Sequence, residues 1–372
     1  MKYCSRCVLP DSRPHLSFDE EGVCNACRSF ESRGKINWVE RARSFEQVIS
    51  HAKEKSSGYD CLIPVSGGKD STWQVMTCLD HGLKPLAVTW RTPGRSALGQ
   101  ANLDNLIALG VDHIDYSISP NVEKVFMLEA FKKLGSTAIP MHMALFAIPL
   151  QLAEKFSIPL VVWGENSAFE YGAKEEEHKG FELNREWLKH YGVTHGTTAE
   201  DWVSEKLSRK ELTAYFLPEE TKMEEKGIRA IFLGHYISWD PQKSLSEAKK
   251  KGFISRLSGP KTGLYDYADI DDDFISLHHF LKWYKFGFTR LFDNLSLEIR
   301  FARLSREEAV EKIRQTGLQI PYKDIEKFCE YVGIEDKEFF EIAEQFRDKK
   351  IWQKKGECWS LPHFLIDDWS WS

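Results

Sequence analysis

Pro64-Val65-Ser66-Gly67-Gly68-Lys69-Asp70-Ser71-Thr72 stands between two segments of different character. Upstream, Cys61-Leu62-Ile63-Pro64-Val65 is a short apolar run. Downstream, Val75, Met76 and Leu79 recur at helical spacing, and Gly82 supplies a C-terminal stop. The order is strand, glycine loop, helix. In that order the loop's N–H groups and the positive end of the helix converge on one spot, where anions bind. Gly67 and Gly68 let the main chain come close, having no Cβ. Ser66, Ser71 and Thr72 add hydroxyls and Lys69 a cation. Asp70 is out of place in an anion hole unless a divalent metal such as Mg²⁺ accompanies the anion, as it does on nucleotide phosphates.

The lysine directly follows the glycines, so this is not a Walker A loop. Ser66-Gly67-Gly68-Lys69-Asp70-Ser71 instead resembles the PP-loop of the ATP pyrophosphatase superfamily of adenylating enzymes. The resemblance implies that ATP is split to AMP and pyrophosphate through an adenylated substrate.

Outward from the loop, residues 60 to 166 alternate strand and helix. Pro85-Leu86-Ala87-Val88-Thr89-Trp90 reads as a second strand, His113-Ile114-Asp115-Tyr116 as a third, and Ile158-Pro159-Leu160-Val161-Val162-Trp163 as a fourth. Helical spacing marks 98–109, 121–134 and 142–156. Ile228 to Gly234 reads as a fifth strand. This pattern predicts an α/β fold with a parallel, doubly wound sheet whose ligands bind beyond the strands' carboxyl ends. Trp90 and Gly164-Glu165-Asn166 then join the loop in one crevice. Residues 168–227 are charged and irregular, and read as a largely solvated insertion within an ATP pyrophosphatase-like domain spanning 58–240.

The first 33 residues hold Cys4-Ser5-Arg6-Cys7 and Cys24-Asn25-Ala26-Cys27. Two CxxC pairs suit a tetrahedral four-thiolate zinc site with no open position, hence a structural knuckle; an iron–sulfur cluster or a redox pair are the alternatives. A connecting helix within 34–57 is expected to dock this knuckle onto the core. Residues 241–372 read as a helical C-terminal domain, with a capping box at Ser305-Arg306-Glu307-Glu308 and an aromatic tail that packs on the core or else meets a partner.

The chain has 372 residues and a net charge of -6, from 50 Lys and Arg against 56 Asp and Glu. That balance argues against a large electrostatic grip on nucleic acid. No apolar run reaches the roughly 18 residues of a membrane span, and the first residues lack a signal-peptide core. A cytoplasmic protein is expected.

Taken with the cysteine pairs and the PP-loop, further blocks narrow the resemblance. They are Gly164-Glu165-Asn166, Gly234-His235-Tyr236-Ile237-Ser238-Trp239-Asp240, and Lys282-Trp283-Tyr284-Lys285-Phe286-Gly287-Phe288-Thr289-Arg290. With them the chain is similar to the N-acetyl sugar amidotransferase family, of WbpG and PseA type. That likeness implies adenylation of the acetamido group of a nucleotide-linked sugar, then replacement of its oxygen by ammonia. It further implies a separate glutaminase and a cyclase-like channel subunit as the ammonia source. On this reading Ser66, Gly67, Gly68, Lys69, Asp70, Ser71, Trp90 and Gly164 hold ATP. Lys69, Asp70, Lys282 and Glu165 are the catalytic candidates, and Asn166, His235, Tyr236, Asp240 and Arg290 those for the acceptor. A PP-loop tRNA sulfur-transferase, another amide ligase and a non-catalytic nucleotide-binding subunit are the rival readings.

Overall fold

A computed structural model describes residues 1–164, 182–356, 358–367 and 369. Its centre is a five-stranded, all-parallel sheet in the order β3-β2-β1-β4-β5. The strands are β1 (Cys61–Pro64), β2 (Pro85–Trp90), β3 (Asp112–Tyr116), β4 (Leu160–Trp163) and β5 (Arg229–Phe232). β1 is central, with Leu62 in register with Leu86 on one side and Val161 on the other.

Both faces of the sheet are covered, which is why its strands read as near-continuous apolar runs. Leu62, Leu86, Val88 and Val161 point to the side of α5 (Pro120–Leu134) and α6 (Ile139–Phe156). Their neighbours Cys61, Ile63, Ala87 and Val162 point to the side of α2 (Trp38–Lys55), α3 (Lys69–Asp80) and α4 (Ala97–Ile107). The alternation is the two-residue period of a pleated strand. It is the expected doubly wound α/β arrangement, with a cysteine knuckle before it and helices after it.

Where it is described, the segment after β4 is mostly exposed, as expected, but it also sends several large apolar side chains into the core. Trp187, Trp202, Leu207, Leu212 and Tyr215 are buried in the α5–α6 core. Most sit in short 3-10 turns and loops with no regular period, so their burial leaves no pattern in the sequence. The expectation that the connecting helix docks the knuckle onto the core needs correcting. α2 buries Phe45, Val48, Ile49 and Ala52 against the sheet. The knuckle packs instead on the C-terminal helices, through Leu9 and Val23 against Phe288, Leu291, Phe292 and Phe364. Ser12 Oγ donates to the Phe286 carbonyl at 2.6 Å, and Arg306 Nε to the Cys7 carbonyl at 3.2 Å. The C-terminal tail joins the same cluster through Leu361, Phe364, Ile366 and Trp369.

Candidate active site

The Ser66–Ser71 turn runs from the end of β1 into α3, whose first residue is Lys69. Gly67 has φ +84°, and a Cβ there would stand 2.6 Å from the backbone nitrogen of Leu103 on α4. Only glycine fits, since both the backbone angle and the space forbid a side chain. Gly68 is the N-cap of α3 and offers no capping side chain. The turn is braced from within: the Ser71 and Thr72 hydroxyls donate to the Gly68 carbonyl at 3.1 and 3.0 Å. The first N–H groups of α3 therefore face outward at the positive end of the helix.

Lys69 is buried. Its ammonium lies 2.5 Å from Asp70 Oδ2 and over the rings of Trp239 and Tyr267 at 5.5 and 5.6 Å. Trp239 Nε1 donates to Asp70 Oδ1 at 2.9 Å. Trp239 follows the β5 exit, so the indole ties the carboxylate across the mouth of the sheet.

These groups open on a cleft of about 530 Å³. One wall is polar: Ser66, Gly68, Lys69, Asp70 and Ser71 face Tyr265, Tyr267, Asp269, Asp271, Arg290 and Asn294. The other is apolar and aromatic, built from Leu145, Phe146, Trp163, Trp187 and Phe232. Trp90 and Gly164 also line the cleft. Gly67 sits behind the turn against α4.

Of the remaining described sequence candidates, Arg290 alone lines the cleft. Lys282 is buried against Asp293 at 2.9 Å, and the same carboxylate takes Arg13 at 3.0 Å and Arg290 at 3.9 Å. Three cations hold the Asp293 carboxyl well below the usual carboxylate range despite its burial. Arg290 joins this knot to the cleft, which it lines. His235 packs on Tyr236 with ring centroids 4.9 Å apart, and its Nδ1 lies 3.3 Å from Arg41. Burial first, then Arg41, pushes its pKa down to about 4. Asp240 accepts from Arg303 at 2.7 Å and caps the helix Pro241–Lys250. His235, Tyr236 and Asp240 thus brace the β5 exit, and the cleft residue of that block is Trp239. Glu165 and Asn166 lie outside the described residues.

The acidic loop Asp269-Ile270-Asp271-Asp272-Asp273 is a part of the cleft that no sequence motif marks. Asp271 is hydrogen-bonded to Ser66 of the turn, and burial pushes its pKa up to about 6. Asp272 accepts from the Phe274 N–H at 2.9 Å, and burial pushes it to about 7. The signal available was density: four aspartates in five residues, just before an apolar helix. With Asp70 these carboxylates give the polar wall hard oxygen donors, the set that suits Mg²⁺ carried by a polyphosphate.

In the N-terminal knuckle, Cys4, Cys7, Cys24 and Cys27 are all buried, their sulfurs within 4.8 Å of one another. The backbone N–H groups of Cys7 and Cys24 point at Cys4 Sγ at 3.4 and 3.2 Å. Hydrogen bonds from the other thiols hold the Cys4 thiol far below its ordinary range. Four convergent sulfurs with N–H···S support fit a structural zinc ion.

Residues 262–365 match the family model described as LPS biosynthesis protein WbpG-like, C-terminal domain. That stretch carries Tyr265, Tyr267, the acidic loop, Arg290 and Asn294. No curated protein matches the chain in sequence. Among solved structures the chain is similar to NMN synthetase from Francisella tularensis, at 12% identity over 80% of this chain and 94% of that one, with a TM-score of 0.34. So distant a likeness does not bear on function.

Proposed function

We propose, from the match of residues 262–365 to a WbpG-like C-terminal domain, that the chain is an AMP-forming, ATP-dependent amidotransferase acting on a nucleotide-linked acetamido sugar. The observation that carries the reading is one cleft. A glycine turn at a helix N-terminus and its buried lysine face Arg290 and the acidic loop of the WbpG-like domain across about 530 Å³.

The proposed chemistry follows from charge. The α3 N-terminus with its Lys69 N–H and the Lys69 ammonium hold the β,γ-pyrophosphate. That leaves the α-phosphorus open to the acetamido oxygen, which displaces pyrophosphate and becomes part of a good leaving group. Lys69 and Arg290 neutralise charge that grows on the departing pyrophosphate. Asp70, fixed by Trp239 and Lys69, and the acidic loop would hold Mg²⁺, which supplies further charge neutralisation on the phosphates. Ammonia then attacks the activated carbon, AMP leaves, and an acetamidino group remains.

The ammonia source in this reading is a separate glutaminase with a cyclase-like channel subunit, as the resemblance implies. The rival sulfur-transfer reading needs a reactive thiol by the loop. Cys61 and Cys78 are buried in the sheet core, and the Cys78 thiol together with burial pushes Cys61 well above its ordinary pKa. A thiol held protonated is a poor nucleophile.

The test is to incubate the protein with ATP, Mg²⁺, ammonium and a panel of nucleotide-linked diacetamido sugars. The expected result is acceptor-dependent AMP and a sugar in which NH replaces oxygen. Sulfur incorporation into tRNA, or turnover with no sugar present, would sink the reading.

A further inference from the structure

The cleft shares a wall with a second cavity of about 700 Å³. His142 and Phe146, one turn apart on α6, line both. Each volume falls in the range of a small-molecule site, and a two-substrate reaction needs its reacting atoms within about 3.5 Å. Two such cavities meeting at one histidine satisfy that need.

The linings differ. The cleft side of the boundary is aromatic, with Phe146 and Trp163 rings 4.9 Å apart. Trp163 Nε1 is buried there with no hydrogen-bond partner among the described residues. The second cavity presents hydroxyls at Thr194 and Thr197, cations at Arg185, Lys189 and Arg209, and carboxylates at Glu200, Asp201 and Glu219. Arg209 pairs with Glu200, and Arg185 with Glu220. Lys189 makes no ion pair among the described residues, and it is exposed at the cavity wall.

His142 itself is set in one form. Its Nδ1 lies 2.7 Å from the Ala138 carbonyl, which only accepts, so Nδ1 carries the proton. Burial, with Lys282 nearby, keeps the ring neutral. Nε2 is then a bare acceptor on the ring that walls both cavities.

We propose that the second cavity is the acceptor site: an anionic nucleotide-linked sugar lies in it with its phosphates toward Lys189, and its acetamido group passes between His142 and Phe146 into the cleft. His142 Nε2 accepts the amide N–H, and the Trp163 N–H is the donor on the cleft side. This assignment rests on the adenylation reading above.

Calorimetry on the full chain tests it, with UDP-N-acetylglucosamine and Mg²⁺-bound α,β-methylene-ATP as separate probes, for wild type and Lys189→Glu. Wild type is expected to bind both probes together. Reversing the charge weakens the sugar nucleotide about tenfold and leaves the ATP analogue within about twofold. The second-cavity assignment is overturned if the probes compete, if both weaken alike, if Lys189→Glu changes neither, or if the sugar nucleotide fails to bind wild type. In each of those cases the ATP reading survives. Failure of the ATP analogue to bind wild type overturns that reading instead.

Discussion

Gly67→Ala probes the turn at its tightest point. The residue has φ +84°, where an alanine costs about 1–2 kcal/mol in backbone strain. The new methyl would meet Leu103 N at 2.6 Å and Leu103 Cα at 2.8 Å. Both are backbone atoms of a packed helix, so the turn must give by about 0.8 Å to reach ordinary contact, and a close-packed interior does not absorb that locally. An N–H held at about 2.9 Å from a phosphate oxygen moves beyond bonding distance. One lost charge-assisted bond is worth about 1.5–3 kcal/mol, or roughly 10- to 100-fold in affinity. The strain alone lowers the melting temperature by only about 1–3 °C in a chain of 372 residues. Calorimetry with the ATP analogue and a thermal melt read the two effects separately. A Gly67→Ala variant that melts near wild type but binds the analogue equally well would refute the assignment of this turn as the phosphate cradle.

Trp239→Phe keeps a ring beside Lys69 but removes the 2.9 Å bond to Asp70; Mg²⁺-ATP affinity should fall about tenfold, and an unchanged titration would detach Asp70 from the metal-bearing role. Metal analysis should find zinc bound by the knuckle. Cys24→Ser should lose it and expose residues 1–33 to limited proteolysis, whereas a protected, metal-free variant would refute a structural metal. Glu123 is buried and bonded to Trp90 Nε1, and burial raises its pKa from 4.5 to about 7. A raised carboxyl binds its proton more tightly when folded. It therefore favours the folded state at low pH and loses that advantage as pH climbs from about 4.5 to about 7, by about 3 kcal/mol at most. Glu123→Gln should flatten the melting curve over that window, by about 4 °C relative to wild type; parallel pH profiles would show that Glu123 does not carry the effect.

The sheet was legible because its strands are buried on both faces and its helices are amphipathic, so Pro85–Trp90 and Leu160–Trp163 stood out as apolar runs. The glycine turn was legible because two glycines at the start of a helix have few other uses. What stayed hidden depends on contacts between segments distant in sequence. Nothing local tells that Lys282 is spent on Asp293, or that Trp239 rather than its neighbours His235, Tyr236 and Asp240 turns into the cleft. The acidic loop was likewise invisible as a site until folding set Asp271 beside Ser66, far earlier in the chain. The burial of Trp202 and Tyr215 escaped for a simpler reason: irregular backbone carries no hydrophobic period.

The most direct measurement follows the label of ATP carrying ³²P at the α-phosphate during acceptor-dependent turnover. Cleavage at the base-proximal phosphate predicts that every labelled product is AMP, matched one for one by unlabelled pyrophosphate. Label emerging in ADP would place the break at the γ-phosphate and contradict the account.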